Sequence, residues 1–156
     1  MAGRIDARLN ELGIELPFPV APKAAKILHY KQSDKLLYIS GQVPRIDGEI
    51  SFIGKVGREY SLAQGQEAAR TSVLCVLGAA RAALDGDLDR IEEVVRVKGY
   101  INVDPDFTQI SEVLNGASEL LIDLFGDPGR HSRTAIGVAS MPFGVAIEVE
   151  AVLQVS

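Results

Sequence analysis

Apolar residues recur at helical spacing in three stretches of the chain. After Ser61 they fall at Leu62, Ala69, Val73, Val76, Leu77, Ala80 and Leu84, one face of a long helix with Ser61 as its N-cap and Asp85-Gly86-Asp87 as its stop. A second long helix is expected to open at Asp104-Pro105-Asp106, where proline suits the first turn and acidic residues suit the positive end of the dipole. Its buried stripe would be Phe107, Ile110, Val113, Leu114, Ala117, Leu121 and Leu124, and Gly126-Asp-Pro-Gly129 would end it. Residues 3–13 predict a short amphipathic helix with Ile5, Leu9 and Leu12 on one side. The prolines at 17, 19 and 22 then rule out helix or central strand, leaving an extended arm that carries the first helix over the surface.

Elsewhere the period is two. Lys26–Tyr30 and Lys35–Ser40 read as strands joined through Lys31-Gln-Ser-Asp34, followed by a turn at Ile46-Asp-Gly-Glu49 and a short strand at Ile50–Ile53. Val94–Val103 is the strongest strand pattern. From Val145 to Val155 every odd position is apolar, while the even positions include Glu148 and Glu150. In the preceding run Ile136 and Val138 suit a core face, and Arg133, Ala135, Gly137 and Ala139 share the other. A tight turn at Met141-Pro-Phe-Gly144 would join these two runs into a closing hairpin. That hairpin would present one guanidinium, two carboxylates and otherwise small side chains, a floor for a small anion; the alternative is a cross-strand Arg–Glu pair on a solvated face. The element order predicts an α+β sandwich, two helices packed on one face of a mixed sheet.

Composition narrows the chemistry. The 156 residues are 47 % hydrophobic and 24 % charged, as expected of one globular domain. No run reaches the length of a membrane span and the N-terminus lacks a signal-peptide core, so a cytoplasmic protein with no membrane partner is expected. The net charge of −5, without a cluster of basic residues, argues against nucleic acid. Cys75 stands alone and reads as core filler, and His29 and His131 have no metal-ligand spacing, so no metal or other cofactor is expected. Gly54-Lys-Val-Gly57 lacks P-loop spacing, and Ser132 and Ser140 lie in no nucleophile elbow. What remains is Arg133, Glu148 and Glu150 with the Ser40-Gly41-Gln42 corner, where Gly41 permits close approach of a ligand or marks a bulge. Arginine can hold a carboxylate in two hydrogen bonds, and a glutamate above it can orient or deprotonate water.

Tyr38-Ile-Ser-Gly-Gln-Val-Pro44, the Asp106-Phe107 helix start, Arg133-Thr-Ala-Ile, Met141-Pro142 and Ile147-Glu-Val-Glu-Ala151 resemble the RidA/YjgF family, also described as L-PSP-type endoribonucleases. The resemblance runs from about residue 23 to 154, and the form around His131 suggests a longer subfamily. It implies a chorismate-mutase-like two-layer α+β sandwich in residues 23–156, preceded by a helix and proline-rich arm in 1–22. It further implies a homotrimer with a central β-barrel and ligand clefts between subunits. The implied activity is hydrolysis of reactive enamines or imines to 2-oxo acids and ammonia. Arg133 would bind the substrate carboxylate, Glu148 would orient the water as the catalytic residue, and Ser40 and Gly41 would line the cleft. Ala135 and Asn115 would complete the substrate-binding set, leaving Glu150 a structural or interface role. The chain departs from the family pattern at three places. Lys26-Ile27 stands where the deaminases have Gly-Pro-Tyr, Ala135 where they have Cys, Ser or Thr, and Ser111 where an asparagine is expected, with Asn115 one turn further on. The rival readings are a non-catalytic binder of 2-oxo acids or related metabolites and, against the acidic balance, an endoribonuclease.

Overall fold

The computed structural model describes residues 3–23 and 26–156. A five-stranded sheet carries the molecule: β1 (Tyr30–Ser33), β2 (Leu36–Gln42), β5 (Ile91–Asn102), β6 (Ser132–Val138) and β7 (Ile147–Val155), in the order β1-β2-β7-β5-β6. A separate small hairpin pairs β3 (Arg45–Ile46) with β4 (Glu49–Ile50). Helices α2 (Leu62–Ala83) and α3 (Ile110–Phe125) lie on one face of the sheet, and α1 (Arg4–Glu11) packs beside α3. This is the expected α+β sandwich with a mixed sheet.

The expected closing hairpin does not form. β7 pairs antiparallel with β5, and β6 pairs parallel with the opposite edge of β5, so a whole strand separates the two runs. The cause lies in the chain order. Two parallel neighbours need a crossover, and α3 supplies it between β5 and β6 in a βαβ unit. With one edge of β5 taken by β6, β7 occupies the other.

The same pairing reverses the expected faces of β6. Val97, Gly99 and Ile101 of β5 point to the helices, where a Cβ on Gly99 would press into Leu114. Their partners Arg133, Ala135 and Gly137 therefore face α3, and Ile136 lies opposite Tyr100 on the open face, 42 % exposed. In β7 the odd positions from Ile147 to Val155 fill the core, as the alternation predicts.

Ser61 caps α2 in a full capping box with Gln64, through Ser61 Oγ at 3.2 Å and Gln64 Oε1 at 2.9 Å. Alanines 68, 69, 79 and 80 let that helix settle closely on the sheet. Gly116 lets α3 cross it, since a Cβ there would overlap the Gln66 carbonyl. α3 begins at Ile110, later than the Asp-Pro-Asp signal suggests. Asp104 Oδ1 accepts the Asp106 N–H at 3.2 Å and its carbonyl accepts the Phe107 N–H at 2.9 Å, so the aspartate builds a turn instead of a cap. The first strand is displaced as well. β1 covers Tyr30–Ser33, and Asp34, at φ 52°, makes the turn. Asp47 and Gly48, both at positive φ, turn the β3–β4 hairpin where Ile50–Ile53 was expected to be a free strand.

The N-terminal helix is tied in firmly. Ile5 and Leu9 are buried in the common core, and Asp89, far along the chain, accepts the N–H groups of Arg4 at 2.7 Å and Ile5 at 2.8 Å. It does for α1 what an N-cap side chain does locally. These backbone hydrogen bonds hold the Asp89 carboxyl below its ordinary pKa. Its contribution is therefore present above the unfolded carboxylate pKa and is lost as pH falls through the lowered one. Asp89→Ala is expected to cost about 1 kcal/mol in urea unfolding at pH 7, the usual loss for a cap. The gap from the wild type should close in acid, and hydrogen exchange should quicken at Arg4 and Ile5.

Candidate functional site

The residues singled out by sequence separate into two clusters on opposite faces of the sheet. The first surrounds Arg133, at the start of β6 beneath α3. Arg133 Nη1 donates to Asn115 Oδ1 at 2.8 Å and to Ser118 Oγ at 3.1 Å, and Nη2 donates to the Ser111 carbonyl at 3.2 Å. All three acceptors are neutral, and Arg133 joins no ion pair among the described residues. Its charge is fixed in place and left uncompensated. Ala135, two residues along β6, shares this face and is half-buried against the core.

Asn115 and Ser118 are three residues apart on α3 and so share one helix face. Ser118 Oγ in turn lies 2.9 Å from His131 Nε2, and His131 Nδ1 lies 2.6 Å from the Gly129 carbonyl. His131 precedes Arg133 by two residues and points to the same side. Its pKa is lowered, first by burial and also by the Arg133 charge, while the Gly129 hydrogen bond works the other way.

The second cluster surrounds Glu148, which pairs with Tyr100 across β7 and β5 on the open face. The glutamate lies across Gly41, where any Cβ would overlap its carboxylate. Gly41 belongs to a bulge. Between Ile39 and Gln42 the β2 strand advances three positions while β7 advances two, from Ala151 to Val149. Ser40 is pinned at the same bulge by its Oγ bond to the Leu28 carbonyl at 2.6 Å. Behind it, the buried Gln42 side chain donates to the Ser40 carbonyl at 2.9 Å and to His29 Nδ1 at 3.3 Å, while His29 Nε2 donates to the Val20 carbonyl at 2.5 Å.

Burial raises the pKa of Glu148, with the neighbouring Glu150 adding to the effect. Glu150 sits opposite Lys98 in the register. Beside it the open face holds a depression of about 220 Å³ lined by Tyr38, Ser40, Arg96, Lys98, Glu150 and Val152. Arg133 is not among its lining residues, and the cross-strand Arg–Glu pair considered from the sequence is absent among the described residues. The described residues contain no group of three or more His, Cys, Asp or Glu placed to hold a metal ion, and no helix long and apolar enough to cross a membrane.

Sequence reasoning missed two contributors. Ser118 and His131 carry no motif of their own, although His-x-Arg on a strand and Asn-x-x-Ser on a helix each place two polar groups on one face. Lys55, which completes no phosphate loop, has a structural role instead. Its ammonium donates to Asn102 Oδ1 at 2.6 Å and to the Ala139 carbonyl at 2.7 Å, bracing the far end of β5 against the loop after β6.

The architecture and sequence both have known counterparts. A protein from Trypanosoma cruzi, Protein TCP17, is 43 % identical over 156 residues, covering 99 % of this chain and 96 % of that one. Among solved structures, the protein Atu1372 of unknown function from Agrobacterium tumefaciens is 38 % identical, with a TM-score of 0.91 over 98 % of this chain and 93 % of the other. A protein from Shewanella oneidensis MR-1 described as "a putative endoribonuclease" is 30 % identical, with a TM-score of 0.93 over 97 % of this chain and 99 % of the other. The family model described as "YjgF/chorismate_mutase-like, putative endoribonuclease" matches residues 6–152, and the chain belongs to that family.

Proposed function

We propose that this protein binds a small carboxylate in a cleft shared by two copies of the chain, and there hydrolyses an enamine or imine to a 2-oxo acid and ammonia. The observation that carries the reading is Arg133: a half-buried guanidinium, held by three neutral oxygens and lacking a counter-ion among the described residues. A cation kept in that state is organised to receive an anion, and arginine's planar fork suits a carboxylate.

Arg133 and Glu148 leave opposite faces of one sheet, so one chain cannot place both on one small substrate. A second copy supplies the missing half. Arg133, Asn115 and Ala135 come from one subunit, and Glu148 with the Ser40–Gly41 bulge from its neighbour. The open face that would meet a neighbour carries exposed apolar side chains, with Tyr38 at 45 % and Ile136 at 42 %. A homotrimer of the kind implied by the family resemblance satisfies this requirement with three equivalent clefts.

The chemistry then needs one base. With the carboxylate on Arg133, an enamine tautomerises to its imine and water attacks the C=N carbon. Glu148 takes one water proton as the C–O bond forms and returns it to the imine nitrogen, giving a carbinolamine. The second water proton passes from the hydroxyl to that nitrogen through the same carboxylate as the C–N bond breaks, the carbonyl forms and ammonia leaves. Imine plus water yields 2-oxo acid plus ammonia, with no redox change. Desolvation that raises the Glu148 pKa brings it nearer to neutral pH, where one group can both accept and return a proton.

Ile27 in place of the family's tyrosine and Ala135 in place of a polar residue favour a second reading, a binder without turnover. The two readings part in one assay. Serine and a pyridoxal-phosphate dehydratase generate 2-aminoacrylate, and pyruvate release is followed with and without this protein. Hydrolysis requires release faster than in buffer; thermal stabilisation by pyruvate, lost in Arg133→Ala, without any acceleration identifies the binder.

Three further outcomes are expected. Arg133→Ala should weaken pyruvate binding about 10–100-fold in calorimetry, the range for losing a charged hydrogen-bonded pair. Arg133→Ala and Glu148→Gln should each abolish turnover, yet co-refolded together they should recover about one quarter of it, the share of intact clefts under random assembly. No recovery, from variants that assemble, would place both residues in one chain's site. Glu148 also leaves a stability signature. A folded-state pKa raised above the unfolded value gives a contribution present at low pH and lost as pH rises through it. Glu148→Gln should therefore match the wild type near pH 4 and melt higher than it at pH 7.

A further inference from the structure

Arg133 does not end the network it belongs to. The Gly129 carbonyl can only accept, so the proton of a neutral His131 sits on Nδ1, pointing at that oxygen 2.6 Å away. Nε2 is then an acceptor, and among the described residues the proton that reaches it, at 2.9 Å, is the one on Ser118 Oγ. With its hydrogen committed to the imidazole, the serine hydroxyl turns a lone pair towards Arg133 Nη1 at 3.1 Å. Every link has one polarity: guanidinium to hydroxyl, hydroxyl to imidazole, imidazole to backbone.

Ser118 has an easier bond within reach. A serine inside a helix commonly donates to the carbonyl four residues back, here Leu114, and then its lone pairs point elsewhere. His131 competes for that hydrogen. Ser118 is only 8 % exposed, so water has little access to replace the contact. The groups facing the imidazole are Arg133 on β6, Ser118 on α3 and the Gly129 carbonyl of the turn, and no carboxylate bonds to it among the described residues. Burial and the Arg133 charge both favour its neutral form, the form the chain of bonds requires.

We propose that Ser118 and His131 are positioning residues that aim the Arg133 guanidinium at its anionic ligand, the imidazole acting by orienting the serine hydroxyl. This rests on the reading of Arg133 as a carboxylate clamp, and it adds a specific partner to that clamp, on the helix side of the sheet, away from the substrate. Neither residue touches the reacting atoms.

The experiment uses the full chain, with pyruvate as the ligand probe and NMR as a ligand-free readout. Ser118→Ala and His131→Leu should each weaken pyruvate binding about 5–10-fold, the equivalent of one net hydrogen bond. His131→Gln, which restores an acceptor for the hydroxyl without an imidazole, should return affinity to within about twofold of the wild type. In the absence of ligand, the Arg133 guanidinium nitrogens should give separate, slowly exchanging signals in the wild type and in His131→Gln, collapsing in His131→Leu. Imidazole nitrogen shifts should report the proton on Nδ1. Equal affinity for His131→Leu and the wild type, or a glutamine variant no better than the leucine one, overturns the positioning role. If the wild type itself does not bind pyruvate, the clamp reading fails; the guanidinium signals still decide whether His131 orders Arg133, since unchanged signals in His131→Leu overturn that ordering.

Discussion

Everything about the site depends on the double pairing of β5. Its hydrogen bonds to β6 on one edge and β7 on the other lock the parity of both neighbours to its own. Val97 faces the helices, so its partner Arg133 does too; Tyr100 faces outward, so its partner Glu148 does too. A slip of one residue between β5 and β7 would carry an apolar row out of the core, so that register is held by the burial of Ile147, Val149, Ala151 and Leu153. On the β6 edge Gly137 fits beneath Val103 and Ile110, where a Cβ would overlap them. The division of the candidate residues into two clusters is thus a consequence of core packing.

That division has an electrostatic benefit. On one face at cross-strand distance, an arginine and a glutamate would neutralise each other, and neither would be available to a ligand. Kept apart by the sheet, Arg133 retains a full charge among neutral acceptors and Glu148 retains a raised pKa. Both states are costly to a fold, and costly titratable states concentrate where a protein binds or reacts. In the proposed cleft the substrate stands between the two charges, and the carboxylate compensates Arg133 only when it is bound.

Much of this was legible in the sequence, and what was not has a common cause. Periodicity located α2, the start of which is set by Ser61, and the alternation in β7 named its core face correctly, because both are local properties of the chain. The closing hairpin failed because Pro142 and Gly144 signal a turn without stating which strand the chain joins after it. That partner was decided by α3, which commits β6 to a parallel place beside β5. A hairpin arm would have Ile136 in the core and Arg133 on the surface; beside β5 the parity is reversed. Asp104 signals a helix start and builds a turn for one and the same reason: a short carboxylate reaches nearby N–H groups in caps and in Asx turns alike. Ser118 carries no motif and His131 stands out only through the form around Arg133: the link between them comes from α3 lying over β6, which no spacing records.

The departures from the family pattern sharpen what the remaining residues have to do. Ile27 is 59 % exposed and precedes Leu28, whose carbonyl holds Ser40, so it borders the Glu148 cluster but offers no hydrogen-bond donor there. Ala135 offers none beside Arg133. Each half of the proposed cleft has therefore lost a polar side chain. Orientation of a substrate then falls on the guanidinium, and activation of water on a single carboxylate. A two-atom fork can define the plane of a bound carboxylate only if the fork itself is immobile, and an arginine side chain has about 2 kcal/mol of rotamer freedom to surrender. Asn115 and the Ser111 carbonyl each restrain one end of it, and the Ser118–His131 pair supplies the restraint whose direction is fixed by a proton.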